Sequence, residues 1–269
     1  MVGIGFRKEF AEEMLATTVL HPDFIEAAPE NWIDVGGFWG RLLDEALEKY
    51  PLYLHGLSLS VGSPDKIDMK FLRKVKKFIK DNKAVLYSEH LSFSKCDNAH
   101  LYDLLPIPFT NEAVKHVSGR IREVQDFLEQ KITIEIVSYY SPVAAEMSEL
   151  EFINSVVTES GCNLLLDVNN IYVNGFNHNY DPYSFLDNLL LDKVSYIHMA
   201  GHKKVSDDLI IDTHGEAIIN PVYQLFDHAI KKLNRTVPVL LERDFNIPEL
   251  SDLAMEMSAL RKILSDNAK

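Results

Sequence analysis

Two cysteines are all that 269 residues provide, and Cys96 and Cys162 form neither a CxxC pair nor a ladder of spacings. That scarcity excludes a disulfide framework, and both thiols are expected to stay reduced. Absent too is any run approaching the roughly 18 apolar residues of a membrane span. The opening MVGIGFRKEF lacks the basic stretch and apolar stretch of a secretory signal, so a cytoplasmic location is expected. Basic charge is scarce: 40 acidic residues face 27 Lys and Arg, for a formal net charge of −13. A field of that sign repels nucleic-acid backbones and anionic membranes, and neither is expected as a partner. No Gly/Ser-rich linker or block of charge interrupts the chain, which predicts a single domain over residues 1–269.

What the chain does have is enough apolar residue, 46%, to fill a core. Short apolar runs recur eight times: VGIGF (2–6), DFIEAAP (23–29), PLYLHG (51–56), AVLYSEHL (84–91), KITIEIV (131–137), NLLLDV (163–168), VSYIHMA (194–200) and VPVLLE (237–242). Each is followed by a polar turn and a segment with apolar spacing near 3.6, the helices falling at 7–18, 38–49, 68–81, 111–130, 148–159, 182–190, 219–233 and 248–266. Strands alternating with helices in that number predict an α/β fold, the TIM (β/α)8 barrel.

In such a barrel the reactive groups lie at the carboxyl ends of the strands. Glu30 follows the second run, His55 ends the third, and Glu89 and His90 end the fourth. Glu135 lies near the end of the fifth, Asp167, Asn169 and Asn170 finish the sixth, His198 and His202 the seventh, and Glu242 the eighth. Neighbours along a strand face opposite ways, so Glu89 and His90 cannot both face the axis, and His90 is assigned inward. Asp167 ends a strand buried on both faces and needs a counter-charge, yet no Lys or Arg occurs between Asn163 and Leu191. A divalent ion is the economical partner. With Asp212 and His214 of the DTH segment, the donors number more than one ion uses, which implies two or three. Gly201 in HMAGH permits a turn that could return His202 towards His198. Imidazole and carboxylate without thiolate suit zinc, manganese or non-haem iron alike. Any one of these histidines alone reads as a structural residue, and the competing account of the whole set is a buried polar network. His21, His100, His116 and His228 read as surface or capping residues, Cys96 as a loop thiol, and residues 70–83 as a solvated helix face. His178, in a stretch of turn formers, divides between turn structure and a substrate-facing role.

SEHLSFS, DLLPIPFT, LLLDVNNIYVN followed by NH, IHMAGH and DTHG, in this order and spacing, resemble the multinuclear non-haem iron-dependent oxidative enzymes, among them the iron enzyme of methanobactin biosynthesis. The resemblance runs from GIGFR (3–7) to LLERD (240–244). It implies a barrel holding two or three irons, mixed Fe(II)/Fe(III), that uses dioxygen to modify a ribosomally made precursor peptide, commonly at cysteine. Carried over by motif, the metal positions are His55, His90, Glu135, Asp167, Asn170, His198, Asp212, His214 and Glu242. His202 matches a family position as ligand or ligand-supporting residue, and His202 and Glu30 are the candidates for catalytic roles beside the metal. Relatives commonly work with a separate protein that captures the precursor peptide, and the same is expected here. Two departures stand out: Ile136-Val137-Ser138-Tyr139 replaces the usual Asn-Pro after Glu135, and Arg243 replaces a common aromatic. The former alters the lip of the pocket, and the latter is expected to point into the helix layer. The alternative is a metal-dependent hydrolase or isomerase on the same barrel, zinc phosphodiesterase-like or sugar isomerase-like, and a metal-binding or sensing protein is a third class.

Overall fold

Each predicted run contributes one strand to a barrel whose neighbours all pair in parallel. The computed structural model describes residues 1–97, 99–141 and 143–268. The barrel strands are β1 (Val2–Gly5), β2 (Ile25–Ala27), β3 (Leu52–His55), β4 (Leu86–His90), β7 (Thr133–Glu135), β8 (Asn163–Asp167), β9 (Val194–Met199) and β12 (Val239–Leu241). They close in the order β1-β12-β9-β8-β7-β4-β3-β2, the TIM-barrel arrangement the alternating pattern predicts. Two antiparallel hairpins stand on the carboxyl rim: β5 (Ser92–Cys96) with β6 (Ala99–Pro106), and β10 (His202–Lys204) with β11 (Ile210–Asp212). Among the described residues no helix is long and apolar enough to cross a membrane.

The outer layer comprises α1 (Ala11–Ala16), α2 (Pro29–Trp32), α3 (Gly37–Lys49), α4 (Met69–Asn82), α5 (Asn111–Leu128), α6 (Glu149–Ser160), α7 (Val168–His178), α8 (Pro182–Asp187), α9 (Asn220–Leu233) and α10 (Leu250–Asp266). On α5, Val114, Val117, Ile121, Val124 and Leu128 recur at helical spacing and are buried against the barrel. Each such side chain contributes about 1.5–3 kcal/mol by leaving water. A reciprocal Ser148–Glu151 capping box starts α6, while the Asp68 carboxylate caps α4. Arg243 turns outward, as expected, and pairs with Glu256 of α10 at 2.7 Å.

Helix α7 occupies VNNIYVNGFNH, where the sequence pattern predicts no helix between the sixth strand and 182–190. Its asparagines, turn formers in isolation, are spent on neighbours: Asn174 Nδ2 donates to Val137 O and Glu149, and Asn177 Nδ2 donates to Ile210 O. With those bonds made in tertiary contacts, the segment has no competing local turn to form.

Inside the barrel, alternation stacks side chains in layers. Phe24, Tyr53, Leu165, Tyr196 and Leu240 make a buried cluster separate from the outer core. Phe24 and Tyr53 pack with ring centroids 4.3 Å apart. Gly3 is required opposite them, because a Cβ there would lie 2.4 Å from the Phe24 ring. Two residues further along each strand, on the same face, come Glu26, His55, Asp167, His198 and Glu242. An apolar plug thus supports a polar floor at the carboxyl end.

Candidate metal centre

The floor is assembled from strand ends, and three groups of donors within it could each hold a cation. His55, His90 and Glu135 form the first, Glu135, Asp167, His198 and Glu242 the second, and His214, Glu242 and Asp244 the third. Glu135 belongs to the first two and Glu242 to the last two. The groups therefore form a chain linked by shared carboxylates.

Hydrogen bonds on the far side of each ring decide which nitrogen faces inward. His90 Nδ1 is 3.0 Å from Gly56 O, a pure acceptor, so Nδ1 carries the proton and Nε2 presents its lone pair. The Ser88 hydroxyl donates to Leu54 O and accepts from His55 Nδ1 at 2.8 Å, with the same result for His55 Nε2. The two Nε2 atoms lie 3.0 Å apart, and Glu135 Oε2 is 2.9 Å from one and 3.2 Å from the other. In the second group His198 Nδ1 lies 2.9 Å from Glu242 Oε2 and 3.8 Å from Glu135 Oε1. Asp167 Oδ1 accepts from Asn170 N at 2.8 Å, capping α7 and leaving Oδ2 directed elsewhere. In the third, His214 Nδ1 is 3.2 Å from Asp244 Oδ2 and 3.3 Å from Glu242 Oε2, while Nε2 is 2.7 Å from Asp212 Oδ1. His214 has φ 49°, a left-handed conformation costing about 1–2 kcal/mol that these contacts hold in place.

Whether these residues fit a metal is decided by their unsatisfied atoms. Glu135 Oε2, Asp167 Oδ2, His198 Nδ1, His214 Nε2 and Glu242 Oε2 are buried without a hydrogen bond of acceptable geometry. Buried polar atoms are usually paired; unpaired ones also occur elsewhere in this protein, but these five converge on one floor, as a cation-binding set requires. They fit.

Electrostatics agree. Burial opposes a charge on His55, but Glu135 outweighs it and holds the pKa at about 9. Burial and the adjacent His55 push His90 down to about 4. Without a metal, a proton on His55 Nε2 fills the place between the two rings and Glu135 that a cation would take, and the cation would displace that proton to free the lone pair. Burial and the Glu135 charge raise Asp167 well above its ordinary range, whereas Glu242 is held far below it because His214 and His198 overcome its burial.

The other predicted residues fall into place around this floor. Asn170 borders the cavity but donates to Ile136 O at 2.9 Å and Glu135 Oε1 at 3.3 Å, and its oxygen accepts from Ser138. His202 does not turn back to His198. Its Nδ1 donates to Asn169 Oδ1 at 2.7 Å, and Asn169 Nδ2 donates to Asp212 Oδ1 at 2.7 Å, so His202 reaches Asp212 through Asn169. Glu30 is not brought to the floor: its Oε1 accepts from Leu57 N, Ser58 N and Ser58 Oγ, holding the loop after β3. The carboxylate that β2 delivers is Glu26, whose Oε2 accepts from Tyr196 OH at 2.5 Å and His198 Nε2 at 2.9 Å. Period-two alternation could have found it, since Phe24-x-Glu26 repeats the register of Tyr53-x-His55 and Tyr196-x-His198. Arg7, which contacts Glu242 and Asp244, and Asp244 itself were also missed. Glu89 faces away, bonded to Tyr87 OH and Leu59 N, as strand parity required. His178 stacks on Tyr139 at 3.8 Å and donates to the Tyr139 carbonyl, tying the end of α7 to the segment after β7.

Above the floor is a cavity of about 640 Å³, walled by Phe6, Trp32, Leu104, Tyr139, Tyr140 and Phe245 among others. It is roomy enough for a side chain and its flanking backbone.

Residues 1–265 match the model of the RiPP precursor modification enzyme family MbnB/TglH/ChrH. The chain belongs to this family. MbnB/TglH/ChrH relatives include a UPF0276 protein of Nitrosospira multiformis, 48% identical over 99% of this chain and 94% of its own length. Another, from Alcanivorax borkumensis, is 48% identical over 97% of this chain and 89% of its own. Solved structures with the same fold include D-psicose 3-epimerase from Clostridium cellulolyticum (TM-score 0.63, 12% identity, 98% of both chains). Endonuclease IV from Thermus thermophilus is similar too (TM-score 0.60, 12% identity, 98% of both chains). This MbnB/TglH/ChrH chain is thus an enzyme-family barrel with candidate metal-ligand groups on its carboxyl rim.

Proposed function

We propose that the protein holds two or three irons and uses dioxygen to modify a ribosomally made precursor peptide oxidatively, at cysteine. The observation that carries this reading is the chain of three donor groups linked by Glu135 and Glu242, in a member of a precursor-modifying family. Bound iron would supply the redox chemistry and dioxygen activation that no side chain here can provide. His55, His90 and Glu135 would hold one ion, Glu135, Asp167, His198 and Glu242 a second, and His214 with Glu242 and its neighbours a third. Ser88 and the Gly56 carbonyl keep His55 and His90 in the metal-facing tautomer. Trp32, Tyr139, Tyr140 and Phe245 line the cavity and would flank the incoming peptide. Capture of the precursor is assigned to a separate partner protein.

Anaerobic purification from iron-supplemented cells, elemental analysis, and Mössbauer spectra before and after dioxygen test this reading. Two or three irons that change valence are expected. His55→Ala or Asp212→Ala should abolish turnover with the barrel intact, and full activity in either variant would sink the mechanism. The same donors suit zinc, so stoichiometric zinc with product formed without oxygen would favour the hydrolase or isomerase reading.

A further inference from the structure

His198 differs from the other histidines of the floor in how it is held. His55 and His90 give their Nδ1 protons to a hydroxyl and a carbonyl and turn Nε2 inward. At His198 the order is reversed: Nε2 is 2.9 Å from Glu26 Oε2, and Nδ1 is the buried atom without a hydrogen bond, 2.9 Å from Glu242 Oε2. Glu26 is itself buried, 3% exposed, and its Oε2 also accepts from Tyr196 OH at 2.5 Å. Tyr196 rises from the apolar plug, packed 5.3 Å from Tyr53 and 6.0 Å from Phe24, so the hydroxyl that fixes Glu26 has little freedom. One carboxylate oxygen within hydrogen-bond reach of both a hydroxyl and a ring nitrogen is the shared acceptor, which makes Tyr196 OH and His198 Nε2 the donors.

We propose that Glu26, anchored by Tyr196, is a positioning residue that fixes His198 with its proton on Nε2 and makes Nδ1 the metal-binding atom of the central group. The role rests on the metal-centre reading. Glu26 touches no metal in it: the carboxylate orients the imidazole ring and raises its donor strength, as carboxylate–histidine pairs do at metal sites generally. The apolar plug is thereby connected to the floor through Phe24 and Tyr53, Tyr196, Glu26 and His198 in sequence.

The test uses the full-length protein loaded with Zn(II), a diamagnetic probe, and labelled with ¹⁵N-histidine. Long-range ¹H–¹⁵N correlations, assigned through single His→Gln substitutions, should show His198 bound through Nδ1 and protonated at Nε2. His55 and His90 should show the opposite pattern. Chelator competition should find zinc affinity reduced about 10–100-fold in Glu26→Ala. Glu26→Gln, whose amide oxygen still accepts from Nε2, should recover most of that loss. Tyr196→Phe should lie between. A purely structural role would lower the melting temperature but leave the nitrogen assignments unchanged. His198 bound through Nε2, or zinc affinity unaltered in both Glu26 variants, would overturn the inference while leaving the metal centre standing. A wild-type protein that takes up no divalent ion would overturn both.

Discussion

Replacing Glu135 by Gln keeps its shape and removes the charge shared by two donor groups. Oε2 lies 2.9 Å from His55 Nε2 and 3.2 Å from His90 Nε2, while Oε1 is 3.8 Å from His198 Nδ1, so one substitution reaches all three rings. We predict that Glu135→Gln loses the ions of the first and second groups together and keeps the third. Glu242→Gln should lose the second and third and keep the first, and Asp167→Asn should lose only the second. An ion present at 100 to 1,000 times its dissociation constant stabilises the folded chain by about 2.7–4.1 kcal/mol. For a protein of this size that is about 5–16 °C of melting temperature per ion, so each bridging variant forfeits roughly twice the shift of Asp167→Asn. Melting with and without metal, paired with elemental analysis, reads both quantities. A Glu135→Gln protein that retains every equivalent, or that loses one ion only, would refute the shared-carboxylate arrangement.

Three further outcomes follow from the geometry. Glu149, buried at the start of α6 with Asn174 Nδ2 at 2.9 Å and Tyr139 OH at 3.3 Å, has its pKa raised by burial from 4.5 to about 7. Its folded state binds the proton more tightly, so stability is full below pH 4.5 and declines as pH rises through 7; by about 1.4 kcal/mol per pKa unit the loss is about 3 kcal/mol. Glu149→Gln should flatten that decline in melts between about pH 4.5 and 8, and an unchanged slope would count against it. Gly201→Ala would place a Cβ 2.0 Å from the Glu216 backbone oxygen. It should cost about 3 kcal/mol or more in denaturant unfolding, and near-wild-type stability would show the close approach to be wrong. Glu30→Ala should cost about 2 kcal/mol through the freed Leu57 and Ser58 amides yet leave the metal count intact, and a lost ion would return Glu30 to the site.

The eight strands were legible because each is a short apolar run bounded by turn residues, and His55, His90 and Asp167 were legible because they terminate such runs. Glu26 was not, because the run DFIEAAP extends past it; the strand ends at Ala27, and Glu30 begins a short helix instead. Helix α7 was hidden by its asparagines, whose backbone-carbonyl partners lie 33 to 37 residues distant, well beyond any sequence window. The hairpins were hidden for a different reason. β6 is largely exposed and carries no apolar alternation, and β10 opens on a histidine whose destination, Asn169, is set by the fold alone.

The shared carboxylates also restrict how such a centre can diversify. A change at Glu135 or Glu242 acts on two donor groups at once, so the floor offers few independent settings for adjusting one group without its neighbour. The rim is free of that constraint. Tyr102, 97% exposed on the β5–β6 hairpin, touches no donor group, and the hairpin's far end supplies Leu104 and Leu105 to the cavity wall. The β5–β6 hairpin can therefore be redrawn while the floor stays as it is, dividing the molecule into a part whose residues must change together and a part that can change alone.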